Sequence, residues 1–376
     1  MATVIDSATS LLLVARTLAW ALLIGGWLVL GDLGSAVMPF ELGGLAPMVL
    51  FLGVTGIVLR AGATLAVPAM VLRFVLLATA AVAAGALLRT GHSASLIMVA
   101  CAAAGWAALL VAASRAVKML RARARRAPPP ILPATAGAAL AWLVSGDPGV
   151  ALTTAPAIGL LAAAALLAIM LPSRGITSGC RGGLFDCALP LGGWSHWSNP
   201  AKWPTQAASW AMLPMMASMS VMTQWCRGEV WLSTAAIVGL HLGAMLMPPL
   251  TLYLLRVTLR AEAWVAAAMT AGLLLSLLST SMLGLMLASM CQSLGWSLAW
   301  FARIGDAPRI ETRAAAPTWF GALVPACCIA LLGVAVTYCG PSALRGTQIG
   351  LGALAAVGAA LSLWKPAAFN KLEKRP

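Results

Sequence analysis

The chain has 376 residues, of which 61% are hydrophobic and 9% charged, and its mean hydropathy is +0.94. An ordinary soluble domain carries about 25% charged residues, so this chain in water would show large apolar patches; disorder is excluded too, because disordered chains are poor in apolar residues. Lys and Arg number 24 against 10 Asp and Glu, a net charge of +14, but these cations fall between apolar runs, where they act as topology signals and contacts for anionic headgroups. No stretch between the runs is long enough to build a nucleic-acid-binding domain.

Met1 to Ser10 holds Asp6 and no Lys or Arg, so the first apolar run is expected to stay as a membrane helix and not to act as a cleaved signal. A spanning helix needs roughly 20 apolar residues. Runs of that kind lie at about 10–31, 43–59, 66–88, 94–114, 131–146 and 150–171 in the first half. In the second half they lie at about 206–225, 231–255, 262–302, 318–338 and 348–364. They are continuous and do not alternate at every second residue, which excludes a β-barrel. The expected fold is all-α, a polytopic transmembrane helical bundle of a bacterial-type inner membrane.

The run 262–302 decides the span count. As one helix it would be about 60 Å long, twice the hydrocarbon core. Breaking it at Ser279-Thr280-Ser281 gives about twelve spans with both termini cytoplasmic, and every Lys and Arg except Arg89, Arg227 and Arg345 then falls on the inner side. The alternative of eleven spans moves Arg303, Arg309, Arg313 and the basic tail outward and brings Arg345 in. The positive-inside rule favours twelve. Arg16 and Arg73 lie inside apolar runs, a turn or two from the inner ends of their helices, from where they can snorkel to the headgroups.

Three regions follow: a six-span half at 1–172, a cytoplasmic membrane-surface loop at 173–205, and a Met-rich six-span half at 206–376 with a basic tail. Within the first, Arg115, Lys118, Arg121, Arg123, Arg125 and Arg126 extend the fourth span as a basic helix that Pro128, Pro129 and Pro130 end. These cations are expected to meet anionic lipid or an acidic partner. The central loop is rich in Gly, Pro, Ser and Trp. Its Trp194, Trp197 and Trp203 are suited to the headgroup zone, where an amphipathic ring is half wetted.

All ten carboxylates fall in connections or near the ends of runs, so no acidic residue is expected at mid-membrane and ion-coupled transport loses its usual anchor. In the seventh span Met212, Met215, Met216, Met219 and Met222 share about 120° of helix arc. The eighth span carries His241, then Met245 one turn on; run antiparallel to the seventh, it puts His241 at nearly the depth of Met216 and Met219, and Met269, Met282, Met286 and Met290 follow. Thioether and imidazole can hold Cu(I), so Met212, Met215, Met216, Met219, His241 and Met245 are the candidate metal ligands, with copper the one cofactor considered. The simpler reading is packing by flexible Met side chains, with His241 hydrogen-bonded to a Ser or a backbone carbonyl. Pro214, Pro248, Pro249 and Pro325 interrupt second-half spans, as in the broken helices that line transporter sites.

Other chemistry finds little footing. The eight cysteines include no CxxC pair, so neither a disulfide framework nor a zinc site is indicated. Cys180, Cys187 and His196 with Asp186 share the central loop, but at spacings zinc sites rarely use. Three histidines without a carboxylate pair, and no phosphate-cradling loop, argue against an enzyme.

Twelve spans with a long central cytoplasmic loop resemble the layout of the major facilitator transporters, although their basic signature between the second and third spans is missing and Arg60-Ala61-Gly62 stands there. The segment Trp210 to Met216 resembles Met-rich runs of bacterial membrane families with suspected metal binding. Two functions remain from sequence. The first is a non-catalytic membrane subunit or scaffold that partners other membrane proteins. The alternative is a transporter of a neutral, apolar or soft-metal substrate through a Met/His-lined path in the second half.

Overall fold

The computed structural model describes residues 7–37, 69–90, 95–124, 131–145, 154–170, 200–208, 210–211, 234–255, 261–305 and 341–364, with 331, 335 and 339. In chain order the helices are α1 (Ser7–Val37), α2 (Ala69–Thr90), α3 (Leu96–Arg123), α4 (Ile131–Ser145), α5 (Thr154–Met170), α6 (Thr234–Leu254), α7 (Ala261–Leu278), α8 (Met282–Gly305) and α9 (Pro341–Trp364). A 3-10 turn, Pro200–Lys202, leads into a further helical stretch. Among the described residues there is no strand. The chain is an all-α, polytopic membrane bundle.

Among the described residues four stretches are long and apolar enough to cross a membrane: Ser7–Leu30, Leu96–Arg121, Met282–Ala299 and Ser342–Leu363. The apolar helices Ile131–Val144, Thr154–Met170, Gly239–Leu254 and Glu262–Leu278 are shorter. Large apolar side chains such as Phe74, Ile97, Leu143 and Ile169 are exposed on the outside of the bundle. In oil that arrangement carries no hydrophobic penalty.

Small residues set the helix crossings. At Gly137 of α4 an added Cβ would lie 2.5 Å from the Trp20 Cβ, 2.7 Å from the Thr17 carbonyl oxygen and 2.9 Å from the Ala21 nitrogen. Only glycine lets α1 and α4 touch backbone to backbone there. Farther along, Gly25 lies opposite Ala141, so residue numbers rise together and the two helices run parallel, as the first and fifth spans should. Trp106 of α3 is buried and donates Nε1–H to the Leu22 carbonyl oxygen at 2.7 Å, which supplies the partner an indole N–H needs away from water. Ser95 caps α3 by accepting from the Met98 N–H at 3.4 Å. The helix runs on through the basic stretch and ends at Ala124, short of the prolines. Arg125 and Arg126 lie outside the described residues.

The run 262–302 is two helices. The turn at 279–281 folds α8 back along α7, and Gly272 meets Gln292 while Gly295 meets Met269, an antiparallel register. Ser281 caps α8 by accepting the Gly284 N–H at 3.1 Å. Three boundaries differ from expectation: α1 continues past 31 to Val37, so Asp32 is a helical residue. The last helix starts at Pro341 and not near 348, so Arg345 is a helical residue and not part of a connection. Trp203 belongs to a helical stretch and not to the loop before it; it sits half-buried, its Cβ directly against Gly358 of α9.

The two halves share a core. Leu242, Met245 and Leu246 of α6 and Trp296 of α8 are buried in one cluster with residues of α1 to α5. The α4–α6 contact is close: a Cβ on Gly239 would lie 3.1 Å from Trp142 Nε1.

Candidate functional site

Polar side chains inside an apolar bundle need partners, because unpaired polar groups are costly away from water. In the second half they collect on α8. Ser289, Gln292, Ser293 and Ser297 are all buried and span about 140° of helix arc at 100° per residue. This face looks two ways. One side meets α6, the other meets α7 and α9.

Toward α6, His241 Nε2 and Ser293 Oγ are 2.8 Å apart, and Ser293 Oγ also donates to the Ser289 carbonyl oxygen at 2.6 Å. His241 is buried, with 2% of its surface exposed. The expectation that this imidazole pairs with a Ser or a backbone carbonyl is met by Ser293. Met245, one turn farther on, is buried in the shared core. Met212, Met215, Met216 and Met219 lie outside the described residues, so the structure shows two of the six candidate metal ligands and does not bring a ligand set together. Among the described residues no group of three or more His, Cys, Asp or Glu is placed to hold a metal ion.

Toward α7 and α9, Gln292 donates Nε2–H to the Gln348 carbonyl oxygen at 2.7 Å. The Gln348 side chain accepts from Ser276 Oγ at 3.0 Å and donates to the Leu285 carbonyl oxygen at 3.3 Å. Gly272 makes room for this network, since a Cβ there would fall 2.7 Å from Gln292 Cγ. Gln348, wholly buried at the centre of three helices, is the polar residue the sequence reading missed. The signal was a glutamine at the edge of an apolar run, matched by Gln292 and Ser276 at corresponding depth.

At one end of the same bundle Arg345 reaches over the C-terminus of α7. Its Nε donates to the Ser276 carbonyl oxygen at 2.6 Å, and Nη2 donates to those of Leu277 at 3.1 Å and Ser279 at 2.7 Å. Those carbonyls have no donors within the helix, and a cation there also complements the helix dipole. Arg345 and the 279–281 turn therefore share an end of the bundle, as two-helix sorting requires.

Proline adds a second irregularity to α6. Pro248 and Pro249 have no N–H, so the Ala244 and Met245 carbonyls lose their donors four residues on. This interruption follows His241 by about one turn.

Of the candidate lipid contacts, Arg121 is exposed at the end of α3 and Trp203 is half-buried against α9. Arg115, Lys118 and Arg123 lie on α3; Trp194 and Trp197 lie outside the described residues. Arg16 and Arg73 are both half-buried.

No protein-family model matches the chain, and no curated protein matches it by sequence. Solved structures do match. The nucleoside transporter NupG superposes with a TM-score of 0.53 at 14% identity, over 96% of this chain and 100% of that one. A point mutant of the same transporter gives 0.50 at 13% identity, over 96% and 100%. The fucose:proton symporter FucP of E. coli, in a variant form, gives 0.50 at 15% identity, over 94% and 98%. At these identities the likeness is one of fold, and it runs through nearly the whole chain: this is a multi-pass helical bundle with the fold of these solved structures.

Proposed function

We propose that the chain is a membrane transporter for a small uncharged solute, with a path between its two halves that the polar face of α8 helps to line. The observation that carries this reading is the end-to-end match to two transporters of different uncharged solutes, a nucleoside and fucose, over at least 94% of the chain. The buried donors and acceptors support it. Ser289, Gln292, Ser293, His241 and Gln348 bear amides, hydroxyls and an imidazole and no fixed charge, a set suited to hydrogen-bonding a neutral molecule. These residues all lie in the second half, which is where this reading puts recognition.

The scaffold reading draws no support from the solved folds, and catalysis has none either. A soft-metal cargo remains an arm of the test through His241 and the methionines. Localisation to a bacterial-type inner membrane, with anionic lipid at the basic stretch of α3, belongs to the same proposal.

The test is uptake into proteoliposomes of tritiated uridine, tritiated fucose and Cu(I), each against protein-free vesicles. Saturable uptake of a neutral solute supports the reading, and copper uptake alone shifts it to a metal cargo. Co-purification in mild detergent with a stoichiometric membrane partner, and no uptake of any probe, returns the chain to the subunit class.

A further inference from the structure

We propose that Pro248 and Pro249 make α6 a jointed helix: the segment before them is fixed in the core that the two halves share, and the segment after them swings against the bundle. As a moving part of transport this rests on the transporter reading above; as a hinge it stands on the build of α6.

The backbone supplies the joint. A helix keeps its direction through bonds from each N–H to the carbonyl four residues back. Pro248 and Pro249 have no N–H, so two consecutive bonds, those to the Ala244 and Met245 carbonyls, are missing from the interior of α6. Each proline ring also crowds the carbonyl four residues before it. Helix resumes beyond them, where the Leu255 N–H donates to the Thr251 carbonyl oxygen at 2.9 Å. The Thr251 hydroxyl donates back across the joint to the Met247 carbonyl oxygen at 2.9 Å, a bond of the kind that bends helices. Two helical segments therefore meet at a point where bending breaks no backbone bond, because the bonds it would break do not exist.

Packing differs sharply on the two sides of that point. Before it, His241, Leu242, Met245 and Leu246 are buried. The last three belong to the cluster that holds residues of α1 to α5 and Trp296 of α8. His241 Nε2 lies 2.8 Å from Ser293 Oγ of α8, and Gly239 abuts the Trp142 indole of α4. This segment is gripped by both neighbours. Pro248 is half-buried and Pro249 buried, so the joint falls where the packed segment ends. After it, none of residues 250–255 is buried, and Leu254 and Leu255 are 64% and 67% exposed. The last turn of α6 carries no basic residue, whereas Arg345 binds three carbonyls at the end of α7. A clamped arm, two missing bonds and a loosely held arm are the parts of a hinge.

The experiment uses the full-length protein in proteoliposomes, with the eight native cysteines replaced by serine or alanine. Spin labels go on Ile169→Cys of α5 and on either Leu240→Cys, before the prolines, or Leu254→Cys, after them; all three positions are exposed. Pulsed dipolar spectroscopy should give a broad or two-component distance for the pair 169 and 254 and a narrower one for the pair 169 and 240. Pro248→Ala with Pro249→Ala restores both N–H groups. It should collapse the first distribution to one narrow component and leave the second as it was, with an unfolding midpoint equal to or above that of the parent. Equal widths for the two pairs in the parent protein overturn the hinge, and that comparison needs no proline variant to fold. A distribution at 254 that the two alanines leave unchanged overturns it as well. Uptake of tritiated uridine and fucose by the same vesicles separates the hinge from the transporter reading. Parent uptake that the two alanines slow supports the hinge as a moving part of transport. Uptake that they leave unchanged keeps the hinge and removes that part. Proline-dependent distances in a protein that carries neither solute keep the hinge and remove transport.

Discussion

The guanidinium of Arg345 donates through Nε to the Ser276 carbonyl oxygen at 2.6 Å, and so ties the first turns of α9 to the last turn of α7. Three carbonyls at that helix end depend on this one side chain. Arg345→Gln should lower stability by about 1–3 kcal/mol, the range for charge-assisted bonds lost at a partly wet site. Arg345→Lys should recover only part of it, because an ammonium lacks the planar fork. Thermal unfolding in detergent reads both, and an unchanged midpoint in Arg345→Gln contradicts the capping role.

Gln348 is the second test of packing. Its side chain bonds Ser276 and the Leu285 carbonyl, while its own carbonyl holds Gln292. A double-mutant cycle with Ser276→Ala and Gln348→Leu should give a coupling energy of about 0.6 kcal/mol and no more than about 1.7, the span known for hydrogen bonds between membrane helices. Strict additivity means that the two side chains do not interact.

Glycine substitutions separate contact from composition. Gly137→Ala pushes a methyl into the backbone of α1 and should cost about 1–3 kcal/mol, as overpacking does. Gly350→Ala meets nothing within 4 Å and should be neutral or stabilise by about 0.5–1 kcal/mol through helix propensity. Equal effects at the two positions would show that the α1–α4 approach is looser than described.

Much of the bundle was legible because oil imposes simple rules. Run length placed the described helices, while the runs at 43–59, 206–225 and 318–338 lie wholly or largely outside the described residues, and charge sorting broke 262–302 at Ser279-Thr280-Ser281, where the turn lies. The basic extension of α3 followed from a helix pattern continuing until proline. His241 was readable as a hydrogen-bonded imidazole, since a buried ring nitrogen needs a partner, but its partner was not: Ser293 is one of several serines on α8, and only helix rotation selects it. Gln348 was missed for a related reason. A hydropathy window penalises glutamine, so the run was trimmed to begin there, although a paired glutamine is readily accommodated inside a bundle. The methionine stripe of the seventh span lies outside the described residues.

The contact between halves gives a functional prediction. Gly239 abuts the Trp142 indole, so Gly239→Val wedges α6 away from α4 at the place where the halves meet. Transport by rocking of the halves should slow in this variant by about tenfold, the effect of about 1.4 kcal/mol on the barrier, with unfolding little changed. Loss of folding in place of loss of rate would assign the contact to stability alone.

The most direct test asks whether the halves move against each other. Spin labels at Ile97 on α3 and Leu278 on α7, both exposed, can be introduced as cysteines after the eight native cysteines are replaced by serine or alanine. Pulsed dipolar spectroscopy in lipid should give two distance populations whose ratio changes when uridine or fucose is added. A single narrow distance, unmoved by added uridine or fucose, would describe a static bundle and contradict the account.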